Sequence, residues 1–282
     1  MSENPLLRVE DLKVNFPTRK GLVEAVRGIS FSLGREKLGI VGESGSGKSM
    51  TGRSILRLVS APGQVTARRL EFDGIDLMKA SESQMRQIRG QRISMVMQDP
   101  KFSLNPVMRV GEQIAEAYRT HQNVSRDEAK RQALDMLSAV RIRDSERVYR
   151  AYPHEVSGGM GQRIMIAMML IPDPDLLIAD EPTSALDVTV QLQVLAILDD
   201  LVSQRGMGLI FISHDLSLVA SFCDRVVIMY AGRVMEICDA KNLAAAQHPY
   251  TRGLLNCLPK IDGGGSDLPI LRRDPAWLEH GA

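Results

Sequence analysis

The segment with the clearest chemical meaning is a glycine-rich loop that ends in lysine and serine. It consists of Gly42, Glu43, Ser44, Gly45, Ser46, Gly47, Lys48 and Ser49. The loop matches the pattern GxxxxGK[ST], in which backbone N–H groups enclose phosphates, the lysine reaches the β and γ phosphates and the serine hydroxyl binds Mg²⁺. The sequence therefore predicts a nucleoside triphosphate site, and an ordinary exposed glycine turn is the alternative.

The elements around this loop favour the phosphate site over the turn. A short apolar run at residues 37–41 predicts a strand before the loop, and residues 48–59 predict a helix after it. Upstream, alternating apolar residues at 6–16 and 23–33 flank a turn-forming segment and predict an antiparallel hairpin. The loop thus has the strand–loop–helix context that phosphate binding requires.

Two acids follow a second apolar strand. Residues 176–179 predict a buried strand, and Asp180 and Glu181 come directly after it. A charged turn at a strand end is common, and that is the alternative. Beside a phosphate loop, a carboxylate at this position is typical of a Mg²⁺ partner, and the next one of a base for the attacking water. We therefore assign Asp180 to the metal and Glu181 to catalysis.

A third segment combines a serine with two glycines ahead of a predicted helix. Ser157, Gly158 and Gly159 precede a helical run at residues 162–170. The free N–H groups at a helix N-terminus attract anions. The alternative is a plain loop.

Composition limits the classes of function. The chain has 282 residues, 44% hydrophobic and 24% charged, with a net charge of +1, so it lacks the basic excess that is typical of nucleic-acid binding. The three cysteines show no CxxC spacing, so we expect neither a disulfide framework nor a zinc site, and a reducing cytoplasm fits them. We accordingly expect no nucleic-acid partner.

Hydropathy limits the location. The N-terminal residues lack the basic start and apolar stretch of a signal peptide, so we expect no secretion. The apolar runs are far shorter than the roughly 20 residues of a spanning helix. We expect any membrane attachment to come through a partner.

The rest of the chain alternates between helical and strand patterns. Three- and four-residue periodicity predicts helices between residues 108 and 150. Strands at 176–179, 209–212 and 226–229 then alternate with helices at 189–203 and 216–221, which is typical of a parallel α/β sheet. The alternation stops near Ala240, and a glycine linker at 263–265 leads to a polar tail.

These segments resemble, in order and spacing, the motifs of ABC ATPases. In that resemblance Ser157, Gly158 and Gly159 belong to the signature motif that contacts the nucleotide of a second subunit. Four further residues then take family roles, and each has a structural alternative. Gln98 resembles the Q-loop glutamine and is otherwise a strand end; Asp187 resembles the D-loop aspartate and is otherwise a helix cap. His214 resembles the switch histidine at the γ-phosphate and is otherwise a loop histidine, and Phe16 resembles the residue that stacks on adenine and is otherwise a core side chain.

Other stretches are similar to one branch, the oligopeptide, dipeptide and nickel importer ATPases. They are the QDP motif at 98–100 with SLNP at 103–106, YPHE at 152–155 and HPYTRGLL at 248–255. The similarity extends over residues 6–261. Gly161 departs from the arginine usual in this branch and predicts a weaker contact across the dimer, since glycine costs a helix up to about 1 kcal/mol. The tail lacks the cysteine cluster of some relatives, so we expect no iron–sulfur site.

The resemblance implies a fold and a division of the chain. The expected fold class is α/β, a P-loop NTPase (RecA-like) core with an antiparallel β subdomain, a helical subdomain and a short C-terminal extension. We expect residues 1–240 to form the nucleotide-binding domain, with the helical subdomain at about 99–159, and residues 241–282 to form the extension.

It also implies an activity and partners. We expect ATP and Mg²⁺ as cofactors, with Glu181 and His214 catalytic and Ser49, Gln98 and Asp180 at the metal. The expected partners are two membrane permeases, an extracytoplasmic substrate-binding protein, and a second ATPase subunit or a second copy of the chain. The expected role is ATP-driven import of peptides, or of nickel, at the cytoplasmic face of the inner membrane. The rivals are a soluble ABC-type ATPase acting on DNA or the ribosome, and a regulatory module that binds ATP without turnover.

Overall fold

A computed structural model describes residues 5–98, 103–184, 186–257, 271 and 273–278. The chain divides into two compact units, Met1–Ala80 with Ile210–Ala282, and Ser81–Leu209. The strands are β1 (Leu7–Thr18), β2 (Gly21–Leu33), β3 (Lys37–Gly42), β4 (Gln64–Thr66), β5 (Arg69–Phe72), β6 (Ile75–Asp76), β7 (Ile93–Val96), β8 (Leu176–Asp180), β9 (Gly208–Ser213), β10 (Arg225–Tyr230) and β11 (Arg233–Asp239).

The α-helices are α1 (Lys48–Ile55), α2 (Glu82–Ile88), α3 (Val110–His121), α4 (Arg126–Ala139), α5 (Ser145–Arg150), α6 (Gly158–Leu170), α7 (Val188–Arg205), α8 (Leu216–Phe222) and α9 (Pro249–Asn256). Short 3₁₀ helices occur at Pro153–Glu155, Ala240–Ala245 and Pro275–Leu278. The predicted glycine linker at 263–265 lies outside the described residues.

The first unit opens with the antiparallel hairpin that the alternating pattern predicts. β1 pairs with β2 from Leu7↔Leu33 to Thr18↔Gly21, and the sheet runs in the order β2–β1–β5–β6, with β4 also paired to β1. Alternate residues of β1, such as Leu12 and Val14, are buried, as expected for a sheet with one apolar face. This confirms the antiparallel β part of the predicted fold.

The phosphate loop of the first unit follows a parallel strand. β3 lies between β10 and β9, and β11 pairs antiparallel with β10 at the edge. β3 is buried along Leu38–Gly42, as is typical of a parallel strand covered on both faces. α8 packs against β3, where Val219 and Cys223 lie close to Gly39. The predicted strand–loop–helix order is confirmed.

The packing of Cys223 has a consequence for its reactivity. Burial raises the pKa of this thiol from its ordinary 9.0 to about 12. At pH 8 the reactive thiolate fraction therefore falls from roughly one tenth to about one in ten thousand. We expect iodoacetamide at pH 8 to modify native Cys223 about a thousandfold more slowly than the same residue in guanidinium-unfolded protein, measured by peptide mass spectrometry.

The half-exposed Cys257 is the internal control for this labelling. It is expected to react in the native protein while Cys223 stays protected. Native labelling of Cys223 at the rate of Cys257 would contradict the burial described here.

The second unit carries a parallel strand pair and most of the helices. β7 pairs with β8 from Ile93↔Leu176 to Val96↔Ala179. α3, α4 and α5 fall within the predicted helical stretch of residues 108–150. Side chains cap two of them, because Ser125 Oγ accepts from the Glu128 N–H and Asp144 Oδ1 accepts from the Arg147 N–H, each at 3.1 Å. The helical periodicity is thus confirmed.

Element boundaries are where the sequence predictions were wrong. α1 ends at Ile55 rather than 59, because Arg57 adopts a positive φ of 53° and the chain turns there. α6 begins at Gly158 rather than 162, because Ser157 caps it. The hydrophobic pattern also missed β4, β5, β6, α2 and β11, whose short or half-buried segments show little periodicity. None of the helices in the described ranges has the length and apolarity needed to cross a bilayer.

Candidate functional site

In the first unit the loop at residues 42–49 wraps around its own lysine. Lys48 is 5% exposed, and its Nζ donates to the Gly42 carbonyl at 2.7 Å and to the Glu43 carbonyl at 2.9 Å. Ser44 and Gly45 are exposed at the tip of the loop, and Ser49 is half-buried in the first turn of α1. The ammonium is therefore fixed at the mouth of the loop, ahead of a helix N-terminus that favours anions.

The loop fits a phosphate group on two further observations. Gly47 has φ 97°, and a Cβ added to it would lie 2.6 Å from the Ala25 carbonyl oxygen, so only glycine allows this close turn. The buried Ser46 hydroxyl has no hydrogen-bond partner among the described residues. A buried hydroxyl of this kind is rare unless a ligand or water completes it. The cradle thus has the shape and the polar atoms that a phosphate requires.

His214 shares a cavity with the start of this loop. It follows β9 directly and is exposed, and the next residue, Asp215, caps α8 by accepting from the Leu218 N–H at 3.0 Å. A cavity of about 490 Å³ in the first unit is lined by Gly42, Glu43 and His214. The structure therefore brings the predicted switch histidine and the phosphate loop together, as contact with a γ-phosphate requires.

In the second unit β8 presents both predicted acids at its end. Asp180 is the last residue of β8 and is 4% exposed, whereas Glu181 is half-buried. Glu181 adopts φ 47°, a left-handed conformation that costs a non-glycine residue roughly 1–2 kcal/mol. The strained turn directs the backbone away from the strand immediately after Asp180. Such strain is concentrated at functional sites.

Gln98 contacts the second of these acids. Its Nε2 donates to Glu181 Oε2 at 3.4 Å, which is a long hydrogen bond. β7 ends at Val96, two residues before Gln98, and β8 runs parallel beside it. The two parallel strands thus bring the predicted Q-loop glutamine and the predicted base together at their carboxyl ends. The neighbouring Asp99 and Pro100 of the QDP motif lie outside the described residues.

The donor atoms proposed for a metal have suitable chemistry. Ser49, Gln98 and Asp180 offer a hydroxyl, an amide and a carboxylate oxygen, the oxygen ligands that Mg²⁺ prefers. A carboxylate as buried as Asp180 requires a cation or hydrogen-bond donors to offset its desolvation. By its chemistry each of these residues, taken separately, fits Mg²⁺.

The Ser157–Gly159 segment forms the start of α6. Ser157 Oγ accepts from the Met160 N–H at 3.4 Å, and both Ser157 and Gly158 are exposed. A Cβ added to Gly159 would lie 2.6 Å from Cγ1 of Val190, so α6 approaches α7 closely there. Gly161 does not break the helix, because its N–H donates to the Ser157 carbonyl at 2.8 Å. The exposed N-terminal turn remains open to an anion.

The surroundings of Asp187 and Phe16 can be compared with their structural alternatives, a helix cap and a core side chain. Asp187 Oδ1 accepts from the Val190 N–H at 3.0 Å and caps α7, so the helix-cap role is present. Phe16 is half-exposed on β1, with its ring against Gly63, so it is not part of the buried core. Ala185, which belongs to the predicted D-loop, lies outside the described residues. The roles of Asp187 toward a second subunit and of Phe16 toward adenine stay predictions.

Sequence reasoning missed the tail residues at the phosphate loop. Leu254 and Cys257 line the same cavity as His214. Arg273 Nη2 donates to Glu43 Oε2 at 3.0 Å. The HPYTRGLL motif, which contains Leu254, is the sequence signal nearest to these residues.

A second cavity is larger than the one beside His214. A space of about 780 Å³ in the second unit is lined by residues of α4, α6 and α7, Arg141 and Arg163 among them. Arg163 donates to the Arg141 and Gly159 carbonyls, and Arg141 pairs with Asp200 at 2.6 Å. Both guanidinium groups are thus already engaged, and no predicted site residue lines this cavity. The smaller cavity, which is lined by the phosphate loop and His214, is therefore the better candidate for the phosphate site.

Comparison with known proteins agrees with this geometry. A family model described as ABC transporter matches residues 26–184. The chain is 50% identical to the "Probable peptide ABC transporter ATP-binding protein y4tR" of Sinorhizobium fredii (strain NBRC 101917 / NGR234), over 95% of this chain and 83% of that protein. It is 46% identical to the "Oligopeptide transport ATP-binding protein OppD" of Escherichia coli (strain K12), over 97% of this chain and 81% of that protein.

Among solved structures, the fold is similar to the dimeric structure of a post-hydrolysis state of the ATP-binding cassette MJ0796 bound to ADP and Pi. The TM-score is 0.73 at 24% identity, covering 83% of this chain and 99% of that one. This likeness confirms the predicted P-loop α/β fold class. With a family match over more than half of the chain and two relatives covered over four fifths of their length, the chain belongs to the ABC transporter family.

Proposed function

We propose that this chain is the ATP-binding and ATP-hydrolysing subunit that powers peptide import through a membrane ABC transporter. The observation that carries the proposal is the cavity in which Gly42 and Glu43 of the phosphate loop meet His214. Such a site binds a triphosphate at its charged end, and the names of the two relatives connect the family branch to peptide transport. Peptide is therefore a better candidate cargo than nickel.

The proposed chemistry depends on positioning and charge. Lys48 and His214 offset charge on the γ-phosphate, and Glu181 orients and deprotonates the attacking water, with Gln98 holding its carboxylate. Ser49, Gln98 and Asp180 would hold Mg²⁺, which would supply positive charge to neutralise the phosphates. Phosphoryl transfer needs little covalent chemistry from the protein, so these contacts account for the rate.

The proposed assembly is a dimer of ATPase subunits that exchanges contacts across its interface. Ser157, Gly158 and Gly159 of one subunit would bind the nucleotide held by the phosphate loop of the other, and Asp187 would contribute at the same interface. The exposed N-terminal turn of α6 supports this role, since its N–H groups attract phosphate oxygens. The second subunit is either a sister ATPase or another copy of this chain. Two permeases and an extracytoplasmic binding protein complete the proposed transporter.

We propose a peripheral position at the cytoplasmic face of the membrane, with the permease contact near Gln98. Met97 is 41% exposed and Val107 is 79% exposed, so apolar side chains flank the segment that contains Gln98. We take these two exposed side chains as the candidate contact, since contiguous exposed apolar surface marks protein interfaces. The domain division at residue 240 and the helical subdomain at about 99–159 belong to the same proposal.

Val107→Asp tests the permease contact. We expect the purified chain alone to stay out of liposomes. We expect Val107→Asp to weaken co-purification with the permeases about tenfold, because burying an unpaired carboxylate in the contact costs about 1.4 kcal/mol or more. Leu22→Asp is the matched control, since Leu22 is 58% exposed on the hairpin of the first unit. Equal retention of both variants would remove the proposed contact.

Peptide uptake tests the function as a whole. Proteoliposomes that contain the permeases, the binding protein and both ATPase subunits should accumulate labelled oligopeptide only when ATP is supplied on the side of this chain. Accumulation of Ni²⁺ instead of peptide would move the cargo to the second candidate. ATP hydrolysis that no permease or binding protein stimulates would favour a soluble ATPase.

A further inference from the structure

Leu271 and residues 273–277 of the tail make three separate contacts with the rest of the first unit. Trp277 packs edge-on against Tyr230 and Tyr250, with ring centroids 6.0 and 5.6 Å apart. Leu271 lies against α9, where a Cβ added to Gly253 would be 2.2 Å from Leu271 Cδ1. The third contact is the ion pair of Arg273 with Glu43. We call these residues the docked tail.

The aromatic contact is continuous with the core of the first unit. Tyr250 is fully buried, and its ring lies 4.8 Å from that of Tyr230 at the end of β10. Burial, and next the charge on Glu43, raise the pKa of the Tyr250 hydroxyl. The aromatic cluster therefore holds the docked tail beside the second residue of the phosphate loop.

The negative charge of Glu43 opposes the binding of phosphate by the loop. Its backbone carbonyl accepts from Lys48, so its carboxylate belongs to the segment that must approach the triphosphate of ATP. Like charges repel, and the repulsion is strongest where water is partly excluded. Arg273 provides the opposite charge at 3.0 Å, and Glu43 is only 31% exposed.

We propose that Arg273 is a positioning residue of the nucleotide site: held by the docked tail, it pairs with Glu43 and keeps that carboxylate from opposing the phosphates of ATP. The proposal rests on the proposed function of the phosphate loop as the ATP site. It assigns the tail a role in ATP affinity rather than in the hydrolysis step.

Nucleotide affinity measured with the full chain tests the proposal. The dissociation constant of ATP with Mg²⁺ is measured first for the wild type. Absence of binding there would defeat the proposed function and this inference with it, whereas wild-type binding with unchanged variants would defeat the inference alone. Arg273→Ala should raise that constant about two- to fivefold, the range of a partly exposed ion pair, and Arg273→Glu should raise it further. Arg273→Lys should stay within about twofold of the wild type. The effect should shrink as salt is added.

The steady-state parameters separate positioning from a loss of folding. We expect Arg273→Ala to raise the KM for ATP while kcat changes less than about twofold, whereas partial unfolding would lower kcat at constant KM. In a Glu43→Gln background, Arg273→Ala should have no further effect, because the charge that it offsets is gone. Arg252→Ala removes an equal charge from the exposed surface of α9 and should leave affinity unchanged.

The tryptophan provides an independent measurement, since Trp277 is the only one in the chain. Trp277→Ala should release the docked tail and raise the dissociation constant of ATP as Arg273→Ala does. The double variant should bind ATP no more weakly than either single variant. In Arg273→Ala, acrylamide should quench Trp277 fluorescence more strongly than in the wild type. Wild-type affinity in Arg273→Ala and Arg273→Glu, or in Trp277→Ala, would overturn the proposal.

Discussion

Glu181→Gln is expected to bind ATP with near wild-type affinity and to hydrolyse it at least about a hundredfold more slowly. A general base contributes roughly 10²–10⁴-fold, and glutamine has almost the same shape but cannot accept the proton of water. The ATP-bound state should therefore accumulate as a closed dimer, with another copy or with a sister ATPase. The measurements are the ATPase rate and the light-scattering mass, with and without ATP and Mg²⁺.

Glu116→Gln is the matched control for this variant, because Glu116 is exposed on α3 of the same unit. It should retain wild-type turnover. Near-normal turnover in Glu181→Gln would move the base to an arrangement centred on His214. Lost turnover without ATP-dependent dimerisation, even with a sister subunit present, would call the Ser157–Gly159 contact into question and implicate Gly161.

Lys48→Ala is expected to lose nearly all affinity for ATP while the protein remains folded. The ammonium provides charge-assisted hydrogen bonds that are worth about 1.5–3 kcal/mol each, and more than one phosphate oxygen depends on it. A fall of at least about a hundredfold in affinity follows. Titration with a fluorescent ATP analogue measures it, and circular dichroism checks the fold.

Lys79→Ala is the control for the loss of a lysine in the first unit. Lys79 is exposed and pairs with Asp76 at 3.1 Å, away from the residues that line the cavity. Its removal should leave affinity unchanged. If a folded Lys48→Ala protein binds ATP as tightly as the wild type, residues 42–49 are not the nucleotide site.

Local signals were sufficient to predict the strand–loop–helix order around residues 42–49. The residues of the loop are consecutive, and glycine, lysine and serine at this fixed spacing have a chemical meaning that depends on no distant part of the chain. The buried strands β8 and β9 were predictable for a related reason, since a short apolar run that ends in polar residues has few other interpretations. Glu181 follows the end of β8 and His214 follows the end of β9, but the role of His214 was implied only by the family resemblance.

Boundaries and long-range contacts required the structure. The left-handed backbone at Arg57 and the Ser157 cap decide where α1 ends and where α6 begins, and neither follows from hydrophobic periodicity. The pair of Arg273 with Glu43 joins residues 230 positions apart, so no pattern in the sequence announces it. The contact of Gln98 with Glu181 was not predicted, and the parallel pairing of β7 with β8 gives it a physical basis.

With Glu181 as the proposed base, its left-handed backbone makes stability and turnover compete at a single residue. At φ 47° a glycine would be unstrained, whereas glutamate retains a cost of roughly 1–2 kcal/mol. Random substitution followed by selection for thermal stability alone would thus favour replacement of this glutamate by glycine. Selection for transport would work in the opposite direction, and a lineage that kept the fold but no longer needed turnover would be expected to lose Glu181 early.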